Sequence, residues 1–86
     1  YVRPWVPALA GHELTTSWIP EEGLFTATWT STEGVTEIVL PHRIFGDAPT
    51  RIVLDGEDAC HSWDAERSEL RVRASGGQII NLSVER

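Results

Sequence analysis

Apolar and polar residues alternate with period two in a series of short stretches, and almost none of the chain repeats at the helical period. The clearest stretch is Leu70-Arg71-Val72-Arg73-Ala74. After Ser75-Gly76-Gly77 comes Ile80-Asn81-Leu82-Ser83-Val84, which reads as its hairpin partner. Period two buries one face and wets the other, the pattern of antiparallel strands in a sandwich or barrel.

Earlier stretches repeat the pattern. His12 to Ile19 predicts a strand with Leu14, Thr16 and Trp18 on one face. Pro20-Glu21-Glu22-Gly23 predicts a turn, because proline suits its first central position and glycine tolerates positive φ at its end. Leu24 to Thr30 returns with Phe25, Ala27 and Trp29 inward, which completes a hairpin. Thr36 to Leu40 predicts a strand with Ile38 and Leu40 inward, ended by Pro41. Residues 41–49 read as irregular, with a turn at Gly46-Asp47. Arg51 to Leu54 follows with Ile52 and Leu54 inward, and Asp55-Gly56 turns the chain. A short strand surrounds Cys60, and Trp63 to Ser68 reads as a turn. The expected fold is all-β: a small antiparallel two-sheet β-sandwich of immunoglobulin-like size, with six to seven strands.

Residues 1–11 read as a lead-in segment from a preceding domain, and 12–86 as the sandwich. Pro4 and Pro7 argue against regular ladder pairing in the lead-in. Val2, Trp5, Val6 and Leu9 are apolar without a period, so they are expected to pack on the sandwich or on a preceding domain. The opening Tyr1-Val2-Arg3-Pro4-Trp5 does not read as a natural N-terminus, so upstream sequence is expected, and any targeting signal would lie there.

Composition narrows the function. A chain of 86 residues holds one domain and buries roughly 60–65% of its extended surface, so its stability is modest. Cys60 is the single cysteine, so no internal disulfide adds to it. The formal charge of −6 argues against nucleic acid as a partner, because that needs a basic face. No apolar run approaches the roughly 20 residues that cross a bilayer, so no transmembrane segment is expected.

Candidate chemistry is sparse. His12, His42 and His61 stand far apart, and no spacing suits a metal. Asp55-Gly56-Glu57-Asp58 lacks the alternating acids of a dedicated calcium loop and reads as a turn with surface acids. Cys60 next to His61 reads as a small core residue, since strand neighbours point to opposite faces. No catalytic residue, cofactor or metal ligand is assigned. Trp18 and Trp29 read as core. Trp5 reads as filling an interdomain seam, together with Val2, Val6 and Leu9. Trp63 is left between a seam and a platform for stacking a sugar ring.

The order of the pieces resembles a known domain. Arg3-Pro4-Trp5, Ala8-Leu9-Ala10-Gly11, Trp18-Ile19-Pro20, Gly23-Leu24-Phe25, Thr36-Glu37-Ile38-Val39-Leu40-Pro41 and Leu70-Arg71-Val72-Arg73-Ala74 together resemble the C-terminal β-sandwich of endoglycoceramidase-like enzymes of glycoside hydrolase family 5. Where that pattern has Tyr after Arg-Pro, this chain has Trp5; where it often has Pro before Thr-Glu-Ile, it has Val35. The resemblance implies an N-terminal TIM-barrel catalytic domain in the same polypeptide that cleaves a β-glucosidic glycolipid bond with two glutamates of its own. It implies that the present chain is a non-catalytic accessory domain that stabilises the barrel, with glycan or glycolipid met through the parent enzyme. An independent carbohydrate-binding module is the alternative. An exported parent would place it in a secreted or periplasmic setting.

Overall fold

The computed structural model describes residues 3–86. Among these residues, eight strands form two four-stranded sheets packed face to face, accompanied by one short helix. In chain order the strands are β1 Trp5–Ala8, β2 Gly11–Ile19, β3 Leu24–Ser31, β4 Gly34–Val39, β5 Arg51–Asp55, β6 Cys60–Asp64, β7 Glu69–Ala74 and β8 Ile79–Glu85. Helix α1, between β4 and β5, is His42–Phe45. Sheet A runs β1-β4-β7-β6 and sheet B runs β2-β3-β8-β5, with antiparallel pairing throughout. The small all-β sandwich expected from the alternation is therefore present, with eight strands in place of six to seven.

The core comes almost entirely from the central strands. Phe25, Ala27 and Trp29 of β3 lie opposite Val84, Leu82 and Ile80 of β8, and all are buried. Across the sandwich, Ile38 of β4 pairs with Leu70 of β7, and Val72 and Ala74 complete that layer. Each inward residue sits two positions from the next, so one strand face supplies the whole layer. Edge strands add half-buried side chains: Val6, Trp18, Ile52, Leu54 and Trp63.

Several expectations are corrected. Leu70–Ala74 and Ile80–Val84 do not form a hairpin: β7 lies in sheet A and β8 in sheet B. Both strands bury an alternating face, but those faces meet across the core. The crossing is held by Ser31, which is buried. Its hydroxyl donates to the Ser75 carbonyl (2.7 Å) and accepts from the Gln78 N–H (3.2 Å), while its own carbonyl accepts from Gly77 N–H (2.8 Å). The hairpins among the described residues are β2–β3 and β6–β7.

The first turn matches its reading. Glu22 N–H donates to Ile19 and Gly23 N–H to Pro20, with Gly23 at φ 61. Beyond it, β2 is an edge strand with Leu14 and Thr16 exposed, so the expected inward face reduces to a half-buried Trp18. A register shift between His12 and Thr15, with Glu13 at φ 59, breaks the alternation there. Trp18 rests against Phe45 of α1, ring centroids 5.9 Å apart. Residues 42–45, read as irregular, make one helical turn after Pro41, too short to show a period. Trp63 belongs to β6 instead of a turn, and Cys60, read as core, is exposed.

The lead-in also pairs. β1 joins the edge of sheet A beside β4, and an irregularity in register between Trp5 and Ala8 accommodates Pro7. An edge position is where a proline does least harm. At the step from β1 to β2, Ala10 N–H donates to the buried Thr36 hydroxyl (3.0 Å).

Candidate functional site

Inward burial of Ile38, Leu70 and Val72 turns their neighbours outward, so the register can be read across the outer face of sheet A. One row is Trp5, Val39, Glu69 and Asp64. The next is Ala8, Glu37, Arg71 and Ser62, and a third is Val35, Arg73 and Cys60. Arg71 organises the charges. Its Nε lies 3.0 Å from Glu69 and its Nη2 3.5 Å from Asp64, while Arg67 approaches Asp64 at 3.9 Å. Asp64 also accepts the N–H groups of Glu66 and Arg67, closing the β6–β7 turn. Glu69 is buried under this cover, unusual for a carboxylate on an outer sheet face. Arg73 takes part in no ion pair among the described residues. A shallow groove of about 460 Å³ runs beside it, lined in part by Val35, Cys60 and Ser75.

The outer face of sheet B is different. Its register rows hold Thr15, Thr28, Asn81 and Asp55, then Ser17, Thr26, Ser83 and Val53. The Thr28 hydroxyl donates to Asn81 Oδ1 (3.0 Å). Short polar side chains dominate these two rows, while Val53 and, opposite Thr30, Ile79 stand exposed.

The sequence-assigned residues disperse. Trp5 is 53% exposed and outward. Val6 and Leu9 are half-buried against the domain's own core, and Val2 lies outside the described residues. Trp63 stands opposite Leu70, on the inward side of the far edge of sheet A. It is half-buried against the core, and its indole N–H donates to the Asp47 carbonyl (2.8 Å). Trp5 and Trp63 thus do not form a row of aromatics.

The acidic turn has a local role that sequence reasoning missed. Asp58 accepts hydrogen bonds from the Ser75 hydroxyl (2.5 Å), the Ser75 N–H (3.3 Å) and the Gln78 amide. The Ser75 hydroxyl first, then Gln78 and the Ser75 N–H, hold its carboxyl below the ordinary value. The network ties the β5–β6 loop to the β7–β8 crossing. Only the crossing brings these residues together, so no local spacing signals it. Among the described residues, no three or more of His, Cys, Asp and Glu cluster as metal ligands would. No described helix is long and apolar enough to cross a membrane.

The sequence pattern of the glycoside hydrolase family 5 C-terminal domain matches residues 3–84. The chain belongs to that family. No curated protein matches it. A glycoside hydrolase family 5 C-terminal domain is a non-catalytic part of a glycoside hydrolase and implies a catalytic domain attached in the same polypeptide.

Proposed function

We propose that this domain packs against and stabilises a TIM-barrel catalytic domain preceding it in the same polypeptide, in an endoglycoceramidase-like enzyme that cleaves a β-glucosidic glycolipid bond. The observation that carries the reading is Trp5, a large aromatic left 53% exposed on the first described strand, where the chain arrives from the N-terminal side. Val6 and Leu9 already have partners in the domain's own core. Trp5 remains for a neighbour. Covering such an aromatic contributes about 2–3 kcal/mol at roughly 25 cal/mol per Å². The endoglycoceramidase-like parent is supported by two motifs, Arg3-Pro4-Trp5 and Thr36-Glu37-Ile38-Val39-Leu40-Pro41, which sit side by side with Trp5 opposite Val39.

The test is Trp5→Ala in the full-length enzyme. Melting of catalytic domain and sandwich together should shift down, while KM for a glycosphingolipid stays within about twofold, a change worth under 0.5 kcal/mol. Unchanged melting with weakened glycan binding would instead support an independent carbohydrate-binding module.

A further inference from the structure

We infer that the outer face of sheet A, from Trp5 on β1 across Val39 and Glu37 to Arg71 and Arg73 on β7, is the surface covered by the attached catalytic domain. The inference rests on the docking reading above and deepens it by choosing between the two outer faces.

Tethering gives the first reason. The chain reaches this domain through Arg3 and Pro4 directly into β1, an edge strand of sheet A. Pro4 is fully buried, so the arrival point is pinned to the sandwich. A neighbour linked there meets the adjoining face at high effective concentration.

Chemistry gives the second. Tryptophan and arginine carry much of the energy in protein interfaces, whereas serine and threonine carry little. Sheet A shows Trp5, Arg71 and Arg73 among Val35, Val39 and Ala8. Sheet B shows threonine, serine and asparagine at its centre, and its exposed apolar side chains, Val53 on β5 and Ile79 at the start of β8, include no tryptophan.

Charge gives the third. Arg71, Glu69 and Asp64 already satisfy one another. Arg73 forms no such pair, although Glu33 and Asp58 line the groove beside it, and it offers its guanidinium fork to a carboxylate on the facing domain. The occupant is thus an apolar surface with an acidic group placed over Arg73.

Matched thiols in the full-length enzyme test the face. In a Cys60→Ser background, Ala8→Cys reports on sheet A and Ser83→Cys on sheet B; both sites are half-buried and outward, and both changes are small. Iodoacetamide labelling is followed by peptide mass spectrometry, each rate normalised to the same chain unfolded in guanidinium. Ala8→Cys should label at least about tenfold more slowly than Ser83→Cys. Protection of Ser83→Cys alone, or of both equally, overturns the face while docking stands. Protection of neither overturns the face and the docking reading together. Adding Arg73→Glu should speed labelling at Ala8→Cys; an unchanged rate overturns the carboxylate contact.

Discussion

Trp18 and Trp29 are both inward on the β2–β3 hairpin, yet they differ as residues. Trp29 is 2% exposed between two central strands, whereas Trp18 sits half-buried on an edge strand against Phe45. Trp29→Ala should therefore cost about 3–5 kcal/mol, as large buried aromatics do. Trp18→Ala should cost about 2 kcal/mol, since it loses burial without opening a sealed cavity. Urea titration of both variants checks the order, and equal losses would contradict it. Asp58 gives a pH signature. Its carboxyl is held below its ordinary value by Ser75, then Gln78, in the folded state. A depressed folded pKa contributes stability above the unfolded pKa, and that stability is lost as pH falls through the folded one. The melting temperature of the parent should thus exceed that of Asp58→Asn near neutrality. The two should converge below the ordinary carboxylate range. Asp58 is exposed, so solvent screening keeps the difference small.

At the scale of elements, what was legible is what depends on neighbours in sequence. The β2–β3 hairpin follows from Pro20 to Gly23, and the inward sets Phe25-Ala27-Trp29 and Ile80-Leu82-Val84 follow from their spacing. What was not legible depends on partners far away. Alternation says that β7 and β8 each bury a face; it cannot say whether two such strands lie side by side or face each other. Gly76-Gly77 suits a hairpin and a crossing equally. The candidate surface was illegible for the same reason. Arg71 and Arg73 read as outward, but their placement beside Val39 and Trp5 is set by the pairing of β4 with both β1 and β7. Ser31 is the side chain that makes the crossing possible, so Ser31→Ala should cost about 1–3 kcal/mol by leaving the Gln78 N–H without its partner. Loss of a few tenths would mean that water takes its place. Ser68 makes the opposite case. It sits at φ 51 in the β6–β7 turn, where Ser68→Gly should raise stability by about 0.5–1 kcal/mol by relieving the left-handed backbone. Thermal melts resolve either sign.

At the scale of the whole molecule, the chain changes sheets at most of its connections, so four of the six pairings among the described strands join strands that are not consecutive. Closing such loops precedes any reward from pairing, which predicts refolding in about milliseconds to seconds. Stopped-flow tryptophan fluorescence measures it, and a microsecond phase carrying the full amplitude would refute it. The separate domain is also expected to show no turnover of an aryl glucoside, because the groove that Glu33 and Asp58 line is open and the Asp58 carboxylate is engaged by Ser75 and Gln78; measurable hydrolysis by the purified chain would contradict this. The position of β8 carries a consequence for synthesis. It comes last in chain order among the described strands, yet it lies between β3 and β5, in the middle of sheet B. Until the ribosome has delivered it, β3 has one bare edge, β5 has no partner at all, and the hydrophobic faces of Phe25 and Trp29 look onto a gap. A nascent chain stalled near Gly77 is therefore a set of open strand edges, ready to pair with another copy. A premature stop there yields an aggregating fragment instead of a slightly shortened domain.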